Sequence, residues 1–168
     1  MAFSIYQASV PVLVRALTNL SALLDKAEAH ATAKKIKPEA LLQFRLFPDM
    51  LPLVSQVQIA TDMSKGGAAR LAQAEIPSYA DTETSFEELK ARLAKTIDFI
   101  QSFKPEQIDG AESRTIIVKT GGQERTFQGD AYLTTFVLPH VFFHVTTAYA
   151  ILRHCGVEVG KKDFIGAL

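Results

Sequence analysis

Ala131–Arg153 is the most apolar stretch of this chain. Its length suits a membrane span. It also holds His140, His144, several threonines and Pro139 near its middle, which fit a buried core helix better. A helix that is apolar nearly all round needs neighbours on several sides. The stretch is therefore expected at the centre of a helical fold, with some of its surface left for a contact between copies.

The rest of the sequence supplies the neighbours. From about Ser4 to Ala31 a helical stripe runs through Val10, Leu13, Val14, Leu17, Leu20 and Leu24. Lys37-Pro38-Glu39 starts a short helical turn through Phe44. Asp49 is a candidate cap for a second helix running to about Leu71, with Met50, Leu53, Val54, Val57, Thr61, Ser64 and Ala68 on one face. Gly66-Gly67 inside it either weakens the helix or lets another segment approach closely. Gln73–Thr84 reads as a loop centred on Pro77. Ser85 and Glu88 form a capping box for a third helix, whose Phe86, Leu89, Leu93, Ile97, Ile100 and Phe103 face inward. Two short runs around Thr120-Gly121-Gly122-Gln123 predict a β-hairpin. Asp130 is placed to cap the fourth helix, and Gly156 to end it. Four helices of about 20 residues and one short hairpin predict an all-α fold, a four-helix bundle with room for crossover loops, over a single domain of residues 1–168.

Composition narrows the function classes. Lys plus Arg and Asp plus Glu both number 18, so the formal net charge is zero. This argues against a nucleic-acid binder and against a protein held on an anionic membrane. It also lowers the barrier to self-association, so a homodimer is expected. Cys155 is the only cysteine, which fits a reducing, cytoplasmic setting. It reads as a small residue at a helix end. Gly160-Lys161-Lys162 reads as a solvated tail rather than an anion site.

One pattern points to chemistry. His140 and His144 are four residues apart, so they stack on one helix face and could hold one divalent metal (Zn, Ni, Fe or Mn) between them. A metal site needs a third protein ligand. The second helix offers Asp62, a carboxylate that would complete the set, and Gln58, four residues before it. Thr147 extends the histidine stripe, so Gln58 and Thr147 are candidate pocket residues for a small ligand. The alternative is two partly buried histidines bonded to threonines or to the main chain. GxSxG, GxGxxG and GxxxxGK[ST] are all absent.

The block from Phe143 to His154, then Gly156-Val157 and Gly160 to Gly166, resembles a family of uncharacterised bacterial proteins grouped with the DinB/YfiT-like four-helix superfamily. Pro48-Asp49-Met50, Gln56 to Ala60, Ala69-Arg70-Leu71 and Phe86 to Leu89 agree with it, so the resemblance spans essentially the whole chain. It implies an antiparallel four-helix bundle with a long crossover, often dimeric. In that superfamily one histidine on the second helix and a His-x-x-x-His pair on the fourth hold a divalent metal. His140 and His144 match the pair, while Gln56, Gln58 or Asp62 occupy the region of the missing histidine. Members include thiol transferases, a maleylpyruvate isomerase and DNA-damage-inducible proteins. Two function classes follow: a dimeric ligand-binding or stress-related bundle with a degenerate metal site, and a metal-dependent enzyme of thiol-transferase or isomerase type.

Overall fold

The computed structural model describes residues 4–167. Four long helices carry the core: α1 (Ile5–Lys34), α3 (Leu53–Leu71), α4 (Phe86–Gln101) and α7 (Leu138–His154). Short pieces connect them: α2 (Pro38–Leu42), α5 (Pro105–Ile108), the strands β1 (Thr115–Thr120) and β2 (Gln123–Gln128), α6 (Gly129–Ala131) and a C-terminal α8 (Lys161–Ile165). The two antiparallel strands pair Ile116 with Phe127 and Val118 with Arg125. Gly121 and Gly122, with φ of 57° and 76°, make the two-residue turn that the twist of a hairpin favours.

Side-chain pairs fix the helix directions. Gln56 on α3 meets His144 on α7, and Gly67 meets Val137, so α3 and α7 run antiparallel. Lys90 on α4 pairs with Asp25 and Glu28 of α1, while Asp109, beyond α4, accepts from the Tyr6 amide at the start of α1. Helices α1 and α4 are therefore antiparallel too. Arg114 bonds both the Leu71 carbonyl at the end of α3 and the Gln107 carbonyl just beyond α4, so α3 and α4 run in the same direction, and the loop of residues 72–85 is the long crossover between them.

Local chemistry explains the helix boundaries. Ser85 Oγ accepts from the Glu88 amide at 3.1 Å and Glu88 returns the bond to the Ser85 amide, as the sequence predicts. The second long helix begins at Leu53, not at Asp49. Pro52 sits at its N-cap, and a proline bars the residue before it, Leu51, from helical backbone. The fourth helix begins before Asp130, at Gly129, and passes through a π turn at Tyr132–Val137. Pro139 accounts for that turn. It lacks the N–H that would bond the Thr135 carbonyl, and its ring would collide with that carbonyl in a regular helix. The Thr134 and Thr135 hydroxyls bond the Asp130 and Ala131 carbonyls at 2.8 and 2.6 Å.

The most buried helix is α3, with 13 of its 19 residues inside, against 7 of 17 for α7. Its small residues, Ser64, Gly66, Gly67, Ala68 and Ala69, let α4 and α7 close on it from two sides. Helix α7 keeps an apolar outer face, on which Phe142 and Phe143 are 38% and 60% exposed. Two continuous helices, Ile5–Lys34 and Gly129–His154, are long and apolar enough to cross a membrane by length and composition. Both carry much of the core here.

At Gly67 the end of the π turn that leads into α7 packs tightly on α3. A Cβ there would lie 2.6 Å from Cγ1 of Val137, which is fully buried and β-branched, so it cannot turn away. Alanine normally gains about 1 kcal/mol over glycine inside a helix. Overpacking costs about 1–3 kcal/mol and reverses that sign here. We expect Gly67→Ala to lower unfolding stability by about 1–2 kcal/mol in urea titrations, and Val137→Ala to relieve the loss in the double variant.

Candidate functional site

His144 is nearly buried, 9% exposed, and its Nδ1 lies 2.8 Å from Oε1 of Gln56. Gln56 is itself buried, and its Nε2 donates to the Leu51 carbonyl at 2.9 Å, just ahead of α3. An amide anchored in this way turns only its oxygen toward the imidazole. His144 Nδ1 therefore carries the hydrogen, and Nε2 holds the free lone pair. His140, one turn earlier and exposed, has Nδ1 2.6 Å from the Phe136 carbonyl. A carbonyl only accepts, so His140 is the same tautomer. Phe136 lies 4.4 Å from the His140 ring, and Phe143 stands edge-on to His144 at 5.2 Å. Burial, and after it the charge of neighbouring His140, hold the His144 pKa below its ordinary 6.5.

Asp62 and Gln58 belong to a different constellation. Asp62 Oδ1 accepts from Arg92 at 2.8 Å and from Lys65. Gln58 Nε2 donates to Glu83 at 2.9 Å. Arg92 is the hub. Its buried guanidinium also reaches Asp81 at 2.7 Å, Glu83 at 3.0 Å and the Thr61 hydroxyl at 2.7 Å. Tyr79 lies across it, with Lys65 and Lys95 over the same ring at 4.2 and 4.5 Å. Burial opposes the charge on Arg92, but the hydrogen bonds it donates to Glu83 and Asp81 outweigh it, and the pKa is raised. This cluster fastens the crossover loop to α3 and α4. The sequence carried a signal for it: Arg92 stands between Leu89, Leu93 and Thr96, at a position in phase with the core. Thr147 is buried and bonds its own helix, at the Phe143 carbonyl, 2.8 Å away.

The structure thus brings His140 and His144 together and sends Asp62 and Gln58 elsewhere. Among the described residues no group of three or more His, Cys, Asp or Glu could hold a metal. From the region where the superfamily places its second-helix histidine, Gln56 reaches the far nitrogen of His144, as an orienting partner and not as a ligand. Two neutral nitrogen donors fall short of a resident divalent-metal site. They remain two lone pairs that can accept hydrogen from a ligand. Elsewhere, half-buried Cys155 has its thiol pKa pushed up by burial, which suits no nucleophile. The C-terminal segment is docked rather than solvated: Lys26 pairs with Asp163 at 2.6 Å, and Asn19 donates to the Phe164 carbonyl at 3.0 Å.

A family model, "Domain of unknown function (DUF1993)", matches residues 5–165. The chain belongs to the DUF1993 family. Among solved structures, the crystal structure of a DinB family member from Shewanella denitrificans is 40% identical, with a TM-score of 0.90 over 98% of this chain and 93% of that one. No curated protein matches the chain. The resemblance seen in the sequence is therefore confirmed at the level of an uncharacterised, DinB-like family.

The buried histidine of this DUF1993 chain makes its stability depend on pH. With the folded-state pKa depressed, the unfolded chain binds the proton more readily. The His144 contribution is complete above the unfolded value near 6.5 and is lost as pH falls through the lower folded value. Urea midpoints should drop below pH 6.5, and His144→Gln should show a smaller drop over the same range.

Proposed function

We propose that this chain is a small-ligand-binding protein on a variant of the DinB/YfiT-like four-helix bundle, dimeric and cytoplasmic, whose histidine pair is the remnant of a metal centre. The observation that carries the reading is the Gln56–His144 hydrogen bond at 2.8 Å, together with the capture of Asp62 by Arg92 and Lys65. The pair then acts by accepting hydrogen from a polar group of the ligand at Nε2, with Phe136 and Phe143 as aromatic neighbours. The dimer reading rests on the outer face of α7, where Pro139, Phe142 and Phe143 are exposed and uncharged. Zero net charge supports it.

One observation favours the second reading, a divalent-metal-dependent enzyme using His140 and His144. Both Nδ1 atoms are held by acceptors, the arrangement that orients metal-binding histidines. In that case a substrate would have to bring the missing donor.

Titration of Zn, Ni and Mn into tag-free protein separates the two. The first reading expects no stoichiometric binding at micromolar metal. Tight binding abolished by His144→Ala would establish the second. Light scattering should give twice the monomer mass at micromolar concentration, and a Phe143→Glu variant should run as a monomer. A monomeric parent would refute the dimer.

A further inference from the structure

The C-terminal segment roofs a cavity that neither the histidine pair nor the Arg92 cluster uses. Its volume is about 230 Å³. Val12 and Ala16 of α1, Phe142 and Val145 of α7, and Phe164 and Ile165 of the C-terminal segment line it, and it stays partly open to solvent. The gap exists because Ala16 is small where α1 faces α7. The roof is held by polar side chains reading main-chain carbonyls. Arg15 donates from Nε to Ile165 at 3.0 Å and from Nη2 to Ala167 at 2.7 Å. Asn19 donates to Phe164 at 3.0 Å. The side chains of Phe164 and Ile165 stay half-buried, with Phe164 edge-on to Tyr149 at 5.9 Å, so packing and hydrogen bonds together tie the roof.

Arg15 gives this cavity its chemical preference. It stands at the rim, exposed, and no carboxylate among the described residues pairs with it. Two carbonyl oxygens occupy Nε and Nη2, and Nη1 donates to none of the described residues. An apolar chamber with one guanidinium at its edge, unpaired with any carboxylate among the described residues, selects an apolar body carrying one anionic end. Size follows from scale: a cavity of about 150 Å³ takes benzene, so this one takes roughly nine non-hydrogen atoms.

We propose that the cavity between α1, α7 and the C-terminal segment binds a short apolar carboxylate of about the size of hexanoate, with its carboxylate on Arg15 and its apolar body under the Phe164–Ala167 segment. The proposal extends the ligand-binding reading but uses none of the histidine-site residues. Gly166 marks the roof's fixed point. Its φ is +77°, and a Cβ there would lie 2.5 Å from Asn19 Oδ1, so a side chain at this position would lift the segment from α1.

Hexanoate, hexanol and hexylamine are titrated into the full chain and followed by methyl NMR of Ala16, Val12 and Val145. The expected result is saturable shifts at those methyls with hexanoate, at least tenfold weaker binding in Arg15→Gln, and loss of binding in Ala16→Leu, which fills the chamber. Gly166→Ala, which leaves the helical core untouched, should weaken hexanoate while retaining the parent methyl spectrum away from α8. Thermal melts confirm that each variant is folded. The absence of saturable shifts, equal binding of all three probes, or full binding in Ala16→Leu would overturn the proposal. Imidazole ring-proton shifts at His140 and His144 with none at those methyls would also overturn it while sparing the ligand-binding reading. His144→Gln should leave hexanoate binding unchanged.

Discussion

The close passage of α7 over α3 sets the geometry of everything else. It depends on Gly67 having no side chain where Val137 presses down. At one end of this seam Tyr132 sets its hydroxyl 3.4 Å from the Gly66 carbonyl. At the other, Gln56 meets His144. An α3 held further away would carry the Gln56 amide out of hydrogen-bond range, since such bonds weaken steeply past about 3.2 Å. Packing of one glycine against a branched residue thus fixes the tautomer of an imidazole some three turns away.

Charge pairing then decides what the histidines can be joined by. A carboxylate on α3 is a natural third donor, and Asp62 has the right chemistry. A buried guanidinium next to it is a far stronger claim on that carboxylate. Arg92 needs several acceptors to stay charged away from water, and it takes Asp62, Asp81 and Glu83. The same hub ties down the crossover loop that lets α3 and α4 run in the same direction. Structural integrity of the loop and the absence of Asp62 from the histidine site are one arrangement.

What the sequence made legible was local. The Ser85–Glu88 capping box, the Gly121-Gly122 turn and the Pro77 loop each depend on residues a few positions apart, and each was found where the pattern placed it. The histidine pair was legible for the same reason, since i and i+4 share a face. The start of α3 was misplaced because Asp49 looked like a cap while Leu51-Pro52 held the decisive constraint. Apolarity was mistaken for centrality: Ala131–Arg153 is the most apolar stretch, yet the small residues of α3 are buried on more sides. Lys65, three residues on in α3, is a partner of Asp62 that spacing shows. The decisive partner, Arg92, lies on α4, 30 residues further along the chain, and no spacing rule links it to Asp62. Only the position of Arg92 on the inner face of α4 hinted that a buried cation would need carboxylates.

Gln56, by holding His144 as the Nδ1–H tautomer, links the helix seam to the chemistry of the site. Long-range ¹H–¹⁵N correlation of the histidine rings at pH 7.5 reads this directly. The structure predicts a protonated Nδ1 and a bare Nε2 for His144, converting to the opposite tautomer or a mixture in Gln56→Leu. A protonated Nε2 in the parent protein would contradict it, because Gln56 would then be donating to the ring and no lone pair would face a ligand.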